Sequence, residues 1–419
     1  MNITSKEAQF LSGNLPSTGV NVADPILFGQ EQVLPLFDKL RKDDPVHLCT
    51  DSPYGPYWSV TKYDDIVAVD TNHEAFSSKA ELGGIVIDDD LTIDPNGGFT
   101  AISFISMDNP LHAAHRKSVQ PMAAPPSIAA MSDLIRERTE KVLDGLPTDR
   151  EFNWVEHVSI ELTSMMLATL FDIPIEDRKK LVRWSDVGAA EEGSGIIESN
   201  EQRVGEMMEC LEYFTKLWNE RVNQPPKFDF ISMLAHDPDT AEMTPDVLLG
   251  TLFLLIIGGN DTTRNTMSGS VNALNLFPEQ YDLLRNDHSL IDQMVAEVIR
   301  WQTPLAHMRR TALQDVEVGG KQIKKGDKVV MWYYSGNRDE DVFENPDVLD
   351  ITRPNVRKHL AFGFGVHRCM GLRIAELQLR ILWEEILKRW SHVEVVKTPT
   401  RVNSNFVNGY SEMMVRLHK

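Results

Sequence analysis

The chain has 419 residues, of which 42% are hydrophobic and 25% are charged, a composition typical of globular proteins. Its formal net charge of -20 argues against a general nucleic-acid binder, because phosphate recognition depends on clustered lysine and arginine. Its three cysteines are too few for a disulfide scaffold and favour a reducing cytosol, so a cytoplasmic location is expected.

The sequence shows no sign of a membrane segment or a linker. Met1 to Asp24 lacks the basic segment and apolar core of a signal peptide. The longest purely apolar run, Leu252 to Ile257, is much shorter than the roughly 20 residues that a membrane-spanning helix requires. No Gly-, Ser- or Pro-rich stretch separates independent units. We therefore expect a soluble protein without a transmembrane anchor, with residues 1–419 forming one domain.

Two hydrophobic periodicities alternate along the chain. The region from Val46 to Val69, with a Ser-Pro-Tyr-Gly-Pro turn, predicts a short β-hairpin. Helical spacing of apolar residues follows at Ser127 to Leu143, Trp154 to Phe171, Glu201 to Val222, Pro245 to Leu276 and Leu290 to Trp301. A second hairpin is predicted from Thr311 to Tyr334, and a last helix from Leu372 to Trp390. The expected fold class is mainly α with small β-sheets.

The helix predicted at Pro245 to Leu276 joins an apolar run to a polar segment. Its run Leu252 to Ile257 is apolar on all sides, which indicates a helix through the centre of the protein. The next residues, 258–263, read Gly-Gly-Asn-Asp-Thr-Thr. Two glycines inside a helix cost on the order of 1 kcal/mol each relative to alanine, and buried polar groups add a desolvation cost. Some gain must offset these costs.

Two explanations of this polar segment are equally open. One is the close approach of a ligand, with the Thr262 hydroxyl bonding the Gly258 carbonyl and locally opening the helix. The other is that the glycines only let another helix cross closely, while Asp261 pairs with Arg264 at the surface.

Glu297 and Arg300 lie three residues apart on the next predicted helix, hence on one face and within reach of an ion pair. Such pairs are common on helix surfaces, and the last predicted helix has others. By itself, this pair predicts a solvated surface contact.

The most informative segment, residues 362–371, reads Phe-Gly-Phe-Gly-Val-His-Arg-Cys-Met-Gly. It places Cys369 at a helix N-terminus, where free N–H groups and the helix dipole favour a thiolate. Without a CxxC motif or a histidine partner nearby, this cysteine does not suit a tetrahedral zinc site, whereas a single axial ligand suits haem. An isolated cysteine would be an ordinary buried residue, but the register of phenylalanine and glycines favours the ligand.

This segment resembles the signature of the cytochrome P-450 family. Phe362 lies seven residues before Cys369, Gly365 four before, His367 two before, and Gly371 two after. The resemblance implies haem b with Cys369 as its proximal iron ligand, and a thiolate that promotes O–O bond cleavage. It also implies the fold of the family, a triangular helical prism with the haem between the central long helix and the helix after the cysteine loop.

The resemblance assigns roles to residues that the patterns alone leave open. Asp261 and Thr262 match the dioxygen-binding groove of the family and would relay protons to iron-bound dioxygen. Glu297 and Arg300 match its Glu-x-x-Arg motif, with Arg353 as the third member of a structural network.

Other positions match residues that surround the haem. His112 and Arg116, spaced four apart on one helix face, match propionate-binding positions, as do Arg310 and His367. A capping or core histidine remains the alternative for His112, and a strand-edge charge for Arg310. The cofactor-binding positions of the cysteine loop itself are Phe362, Gly363 and Gly371.

The soluble bacterial type of this family receives electrons from NAD(P)H through a ferredoxin reductase and a [2Fe-2S] ferredoxin. Because such ferredoxins are usually acidic, an acidic chain needs a basic proximal face around the thiolate. The residues that could supply it are Lys117, Arg368, Arg373 and Arg380.

Residues 258–264, residues 301–310 and the cysteine loop together resemble the bacterial alkane terminal hydroxylases. The resemblance implies an apolar small-molecule substrate, O2, and hydroxylation of the terminal methyl group of medium-chain alkanes or fatty acids. Attack on a primary C–H bond in preference to weaker secondary ones requires a narrow apolar channel. Candidate wall residues are Leu254, Gly258 and Leu305, with ordinary core packing equally open for each. The loop from Phe99 to Phe104 is a candidate for the other wall.

Three alternatives stay open. The first is a cytochrome P-450 that hydroxylates a steroid side chain, a terpenoid or another lipid. The second is a haem-thiolate sensor or carrier without turnover, against which the Asp261–Thr262 pair argues. The third is a helical binding protein without a cofactor.

Overall fold

The computed structural model of the protein describes residues 20–89, 102–189 and 196–419. This part of the chain is mainly α-helical with small β-sheets, so the predicted fold class is confirmed. Its helices are α1 (Pro25–Gly29), α2 (Leu34–Asp43), α3 (Tyr63–Thr71), α4 (Leu111–Val119), α5 (Pro125–Asp144), α6 (Glu161–Leu170), α7 (Arg178–Ala189), α8 (Asn200–Val222), α9 (Phe230–His236), α10 (Pro245–Leu276), α11 (Pro278–Asn286), α12 (Ile291–Gln302), α13 (Tyr333–Gly336) and α14 (Leu372–Arg389).

The strands form several small sheets. They are β1 (Val46–Cys49), β2 (Tyr57–Val60), β3 (Phe76–Ser77), β4 (Phe152–Asn153), β5 (Met308–Ala312), β6 (Val316–Val318), β7 (Lys321–Ile323), β8 (Lys328–Met331), β9 (His392–Val395), β10 (Thr400–Arg401), β11 (Tyr410–Glu412) and β12 (Met414–His418). A five-stranded sheet has the order β1-β2-β8-β5-β3, in which only β2 and β8 are parallel. Strand β12 lies between β4 and β9, and the pairs β6-β7 and β10-β11 complete the set within the described ranges.

The β prediction for Val46 to Val69 is right for its first half and wrong for its second. Strands β1 and β2 form the expected hairpin. Residues 63–71, however, form helix α3, which buries Ile66, Val69 and Asp70. Their spacing of three and four places them on one helix face, a pattern that the β-branched residues of this segment obscured.

The second β region is longer and more varied than predicted. It begins with β5 at Met308 and ends in the one-turn helix α13. Strands β6 and β7 form its hairpin, while β5 and β8 on either side pair with each other in the five-stranded sheet. Nothing in the local pattern had indicated strands β9 to β12, because β10 and β11 are only two and three residues long and β12 lies between β9 and the distant strand β4.

The predicted helices agree with the structure to within about two residues, the usual uncertainty of helix ends, except at Trp154 to Phe171. There, Val155–Ile160 is π-helical and α6 follows it. Ser159 of this wider stretch has its Oγ 2.9 Å from Ser268 Oγ of α10. Such a contact between distant segments favours the local widening, and the sequence does not reveal it.

Helix α10 organises the apolar core. It spans 32 residues, about 48 Å at 1.5 Å per residue, and most of its side chains are buried. It packs against α6, α7, α12 and α14. Its first half shares one apolar cluster with Ile374 of α14, and its second half shares another with α12. In the described part of the chain, no helix has the length and apolarity needed to cross a membrane.

Candidate functional site

The loop before helix α14 closes a tight turn at Cys369. The Cys369 backbone N–H donates to the Phe362 carbonyl over 2.8 Å. Gly363 and Gly365 have φ angles of 64° and 65°, in the left-handed region that favours glycine. A Cβ atom at Gly365 would also lie 2.6 Å from the backbone oxygen of Asp70. Gly363 and Gly365 are therefore required by backbone conformation, and Gly365 also by close packing.

The free Cys369 side chain does not favour the thiolate as predicted. It is exposed to solvent, yet desolvation by the surrounding protein is the largest effect on its pKa. Desolvation raises this pKa, while the N–H groups of Gly371 and Leu372 and the charges of Arg116 and Arg368 lower it, and the net direction is upward. The helix N-terminus thus acts in the predicted sense but does not prevail. A metal cation at the sulfur would supply the stabilisation that the thiolate lacks.

Helix α10 has one accessible face, along which Leu254, Gly258 and Thr262 follow at intervals of four residues. The Thr262 hydroxyl donates to the Gly258 carbonyl over 2.9 Å. A Cβ atom at Gly258 would meet nothing within 4 Å among the described residues, whereas one at Gly259 would lie 2.8 Å from Leu167 Cδ2. The helix-crossing explanation therefore holds for Gly259, which lets α6 pack closely, whereas Gly258 leaves the accessible face open.

Asp261 points into the protein, with an exposed fraction of 2%. Arg264 lies 2.8 Å from its carboxylate and 3.0 Å from Asp186 of α7. The Ser185 hydroxyl and the Asn260 amide donate to Asp261 Oδ1 over 3.2 and 3.3 Å. Desolvation raises the Asp261 pKa, and the charge of Arg264 opposes this effect. The predicted pair of Asp261 and Arg264 is formed, but it is buried rather than at the surface.

Sequence reasoning missed most of the partners of Asp261. Ser185 and Asp186 belong to α7, and helix packing brings Ser185 to Asp261 and Asp186 to Arg264, so no local pattern indicates them. Asn260 stands inside the polar run, and its place beside Asp261 was an available signal. Its Oδ1 accepts a hydrogen bond of 2.8 Å from the Thr163 hydroxyl, which ties α6 to the same cluster.

The rings of His112 and His367 meet beside the cysteine loop, with centroids 4.2 Å apart. Desolvation and the charges of Arg116 and Arg310 lower the pKa of His112 to about 4. Desolvation and the same arginines lower that of His367 to about 2, so both rings are neutral at pH 7. His112 Nε2 and His367 Nδ1 are buried without a partner among the described residues. These atoms, beside two guanidinium groups, fit a ligand that carries carboxylates, as haem does.

The two arginines of this group are anchored differently. Arg116 donates to the Arg368 carbonyl over 2.6 Å, which joins α4 to the cysteine loop. Arg310 is 3% exposed and donates to Asp70 over 2.8 Å and to the Arg309 carbonyl over 2.7 Å. The alternative of a strand-edge charge is therefore wrong for Arg310, because β5 lies between β8 and β3.

Glu297, Arg300 and Arg353 meet in the interior, with exposed fractions of 0%, 0% and 3%. Arg300 donates to Glu297 from Nε and Nη2 over 2.8 and 2.7 Å, and Arg353 Nε donates over 3.1 Å. Arg300 Nη1 also donates to the carbonyls of Asn337 and Pro346, each over 2.8 Å. The network is not the surface contact that the spacing alone predicts, and it ties α12 to the segment that leads to the cysteine loop.

The cysteine loop and the accessible face of α10 both contact one large apolar cluster. Met370, next to Cys369, packs in one apolar cluster with Leu254 and Ile257. Leu305 lies on another segment, in an isolated β-bridge with the C-terminal loop.

The loop predicted from Phe99 to Phe104 is only partly described, since residues 99–101 lie outside the described ranges. Its described end packs on α10, where a Cβ atom at Gly250 would lie 2.3 Å from the Ile102 carbonyl oxygen. This close contact places Ile102 against the first half of the central helix.

The basic residues predicted for the proximal face differ in their availability. Arg380 lies 3.7 Å from Asp292 and 3.8 Å from Glu384, so its charge is neutralised and it is not a free part of this face. The exposed members are Lys117, Arg368 and Arg373.

The chain matches a family model and individual proteins of known name. Residues 196–415 match the family model described as cytochrome P-450. Linalool 8-monooxygenase of Pseudomonas putida is 34% identical over 403 residues, which cover 95% of this chain and 98% of that protein. Steroid C26-monooxygenase of Mycolicibacterium smegmatis is 31% identical over 386 residues, which cover 90% and 88%.

Solved structures agree with these relatives. Cytochrome P-450-153 from Novosphingobium aromaticivorans superposes with a TM-score of 0.89 at 45% identity, covering 95% of this chain and 99% of that chain. CYP153D17 from Sphingomonas sp. PAMC 26605 gives the same TM-score and coverage at 46% identity. The family model, the relatives and the shared fold together show that this chain belongs to the cytochrome P-450 family of monooxygenases.

Proposed function

We propose that this cytochrome P-450 hydroxylates the terminal methyl group of medium-chain alkanes or fatty acids, with Cys369 as the axial ligand of haem b. The observation that carries the haem site is the arrangement around Cys369. The accessible sulfur lies in a glycine turn, beside two neutral histidines with unpaired ring nitrogens and two arginines. When bound, the haem supplies the activation of O2 for insertion into a C–H bond.

The residues around the loop would hold the cofactor in distinct ways. Cys369 would bind the iron, and the ring nitrogens of His112 and His367 would bond the propionates together with Arg116 and Arg310. The remaining loop positions that would lie against the macrocycle are Phe362, Gly363 and Gly371. The buried network of Glu297, Arg300 and Arg353 would act at a distance, by fixing the segment before the loop.

Asp261 and Thr262 would deliver protons from the protein side. Thr262 carries its hydroxyl on the accessible face, while Asp261 lies inside and connects through Arg264 to Asp186, whose side chain is 31% exposed. Because desolvation raises the Asp261 pKa, this carboxyl group takes up a proton more readily than an exposed aspartate does. A proton would pass from solvent through this cluster to the Thr262 hydroxyl.

Chain-end selectivity is supported by the shape of the accessible face and by the relatives. Gly258 leaves room between Leu254 and Thr262, and Leu254 and Leu305 would supply apolar walls for a narrow substrate. The names of two relatives give carbon 8 of linalool and carbon 26 of a steroid, and both are methyl groups at chain ends. Those names also favour a second candidate, the hydroxylation of a terpenoid or a steroid side chain at its terminal methyl.

Two measurements test the proposal. The reduced carbonyl complex of the protein should show the red-shifted band of thiolate ligation, Cys369→Ser should abolish this band, and the control Cys49→Ser should keep it. The reconstituted enzyme with n-octane should yield 1-octanol in excess over internal octanols. Linalool and cholesterol in parallel test the second candidate. Exclusive oxidation of either would reject the alkane assignment, and internal octanols as the main products would reject chain-end selectivity.

The electron donor would be a [2Fe-2S] ferredoxin, reduced by an NAD(P)H-dependent reductase in the cytoplasm. Its docking face would consist of Lys117, Arg368 and Arg373, which are exposed around the thiolate. Electrostatic attraction of this kind speeds association and weakens with salt.

Charge reversal tests the docking face. Arg373→Glu should lower kcat/KM for an acidic ferredoxin about tenfold at low ionic strength, and the deficit should shrink as salt is added. Lys216→Glu on α8, which makes the same change in net charge, should have little effect. If both variants behaved alike, the proposed docking face would be wrong.

A further inference from the structure

Asp70 of helix α3 is a buried carboxylate to which neither the motifs nor the proposed reaction assigns a role. Its side chain is 1% exposed. Within the described residues, Arg310 Nη2 donates to its Oδ1 over 2.8 Å. The Tyr333 hydroxyl and the Phe364 backbone N–H each donate to its Oδ2 over 2.8 Å. A buried carboxylate is stable only when it is paired in this way, so these contacts depend on one another.

The donors come from different parts of the haem site. Arg310 belongs to β5 and occupies a predicted propionate position, whereas Phe364 lies in the cysteine loop, five residues before Cys369. Tyr333 begins α13. Desolvation and the charge of Asp70 raise the pKa of Tyr333 well above its usual value, so this hydroxyl keeps its proton and remains a donor.

Two glycines of the cysteine loop lie close to the same residue, Asp70. A Cβ atom at Gly365 would lie 2.6 Å from the Asp70 carbonyl oxygen, and one at Gly363 would lie 3.3 Å from Asp70 Oδ2. The loop thus contacts both the backbone and the side chain of Asp70. A displacement of Asp70 would move the turn that presents Cys369.

We propose that Asp70 is a positioning residue of the haem site, whose carboxylate holds Arg310 and the cysteine loop in a fixed relation. Arg310 would then reach the propionates, and Cys369 the iron, of the same haem. Asp70 acts through Arg310 and Phe364, without contact with the haem. This inference rests on the proposed ligation of haem by Cys369.

A second buried carboxylate provides a matched control. Glu385 of α14 is 1% exposed and is paired with Lys388, Arg389 and Arg136. It lies about 20 Å along the helix from Leu372. A carboxylate that only stabilises the fold should behave as Glu385 does, whereas a positioning residue should also control haem retention and thiolate ligation.

The test compares Asp70→Asn with Glu385→Gln in the haem-loaded protein. One readout is the rate at which haem transfers to an excess of haem-free globin, and another is the fraction of the reduced carbonyl complex that keeps its red-shifted band during incubation. The urea unfolding midpoints of the two variants are also compared, so that a difference in stability is not mistaken for a difference in haem retention. Asp70→Asn should accelerate both haem transfer and loss of the band by about tenfold or more, as expected for losing a hydrogen-bonded charge. Glu385→Gln should leave both rates within about twofold, within the usual scatter for a distant site.

If Asp70→Asn does not yield a haem-loaded protein, Tyr333→Phe decides the question, since it removes one donor and leaves the carboxylate. It should accelerate haem transfer by about tenfold, the effect of one hydrogen bond to a charged group. If the variants obtained lost haem at the rate of the parent protein, the role proposed for Asp70 would be wrong, while the proposed ligation by Cys369 would stand. Absence of the red-shifted band in the parent protein would overturn the proposed ligation, and this inference with it.

Discussion

Thr262 and Asp261 are neighbours in the sequence, but their side chains have different surroundings. Thr262 lies on the partly accessible face of α10, with its hydroxyl bonded to the Gly258 carbonyl. Asp261 is buried against α7 and paired with Arg264. In the proposed relay the two residues would therefore serve separate steps, with the Asp261 cluster taking up a proton that comes from solvent and the Thr262 hydroxyl presenting it at the accessible face.

The role of Thr262 predicts a specific defect in Thr262→Ala. Loss of the hydroxyl should reduce the product formed per NAD(P)H consumed by about tenfold or more, because proton delivery by a positioned group contributes at least that much. The electrons should appear as hydrogen peroxide, which a peroxidase assay measures. Thr263→Ala, at the next and 5% exposed position, is the control and should keep the coupling of the parent protein. Equal coupling in the two variants would contradict the relay.

At the same scale, single residues differ in how well the sequence indicated them. Cys369 and Glu297 stand in motifs with fixed spacing; Cys369 lies in the loop before α14, and Glu297 is paired with Arg300 and Arg353. Asp70 lies one residue beyond the segment predicted as a β-hairpin, and Arg380 stands in a helix with ordinary spacing. Whether a charge is buried in a network or neutralised at the surface depends on which distant residues pack against it.

At the scale of elements, two adjacent glycines of the central helix α10 have different surroundings. Gly259 permits contact with Leu167 of α6, and Gly258 leaves the accessible face open. If the helix is considered alone, Gly258 and Gly259 lower its helix propensity equally. Their difference arises because successive residues point about 100° apart around the helix, so only one of them faces α6.

This difference predicts opposite effects of two alanine substitutions. Gly258→Ala should stabilise the fold by up to about 1 kcal/mol through helix propensity, while its methyl group should lower turnover by narrowing the accessible face. Gly259→Ala must displace Leu167 in a dense core, so its free energy of unfolding should fall below that of Gly258→Ala by about 1–3 kcal/mol. Urea unfolding of the haem-loaded variants measures the difference. Equal stabilities would show that neither glycine is set by packing.

On the scale of the whole molecule, charge is arranged unevenly. The net charge is -20, yet the arginines Arg116, Arg310 and Arg368 lie in or beside the cysteine loop. Others hold buried carboxylates, as Lys388, Arg389 and Arg136 do at Glu385. Burial opposes ionisation of Glu385, but hydrogen bonds from these cations prevail and lower its pKa to about 2.

The low pKa of Glu385 predicts how stability depends on pH. Because the folded-state pKa lies below the ordinary value of 4.5, the stabilisation by this carboxylate is complete above pH 4.5 and is lost as the pH falls toward about 2. Glu385→Gln should therefore lower the free energy of unfolding by about 3 kcal/mol at pH 7, and by progressively less below pH 4.5. Urea titrations at pH 7 and pH 4 compare the two proteins. A deficit that does not change with pH would contradict this account.

The sequence by itself determined the family and the central helix, and it supplied the candidate sulfur ligand Cys369 and the motif residues Asp261, Thr262, Glu297 and Arg300. These features are local, because short spacings within one turn or helix decide which groups lie side by side. Only the tertiary structure decided that Asp261 meets Ser185, that Arg264 joins it to Asp186, that Arg380 faces two carboxylates, and that Asp70 joins Arg310 to the cysteine loop. The physical reason is that residues far apart in the chain become neighbours only through packing, and burial then determines whether their charges must be paired.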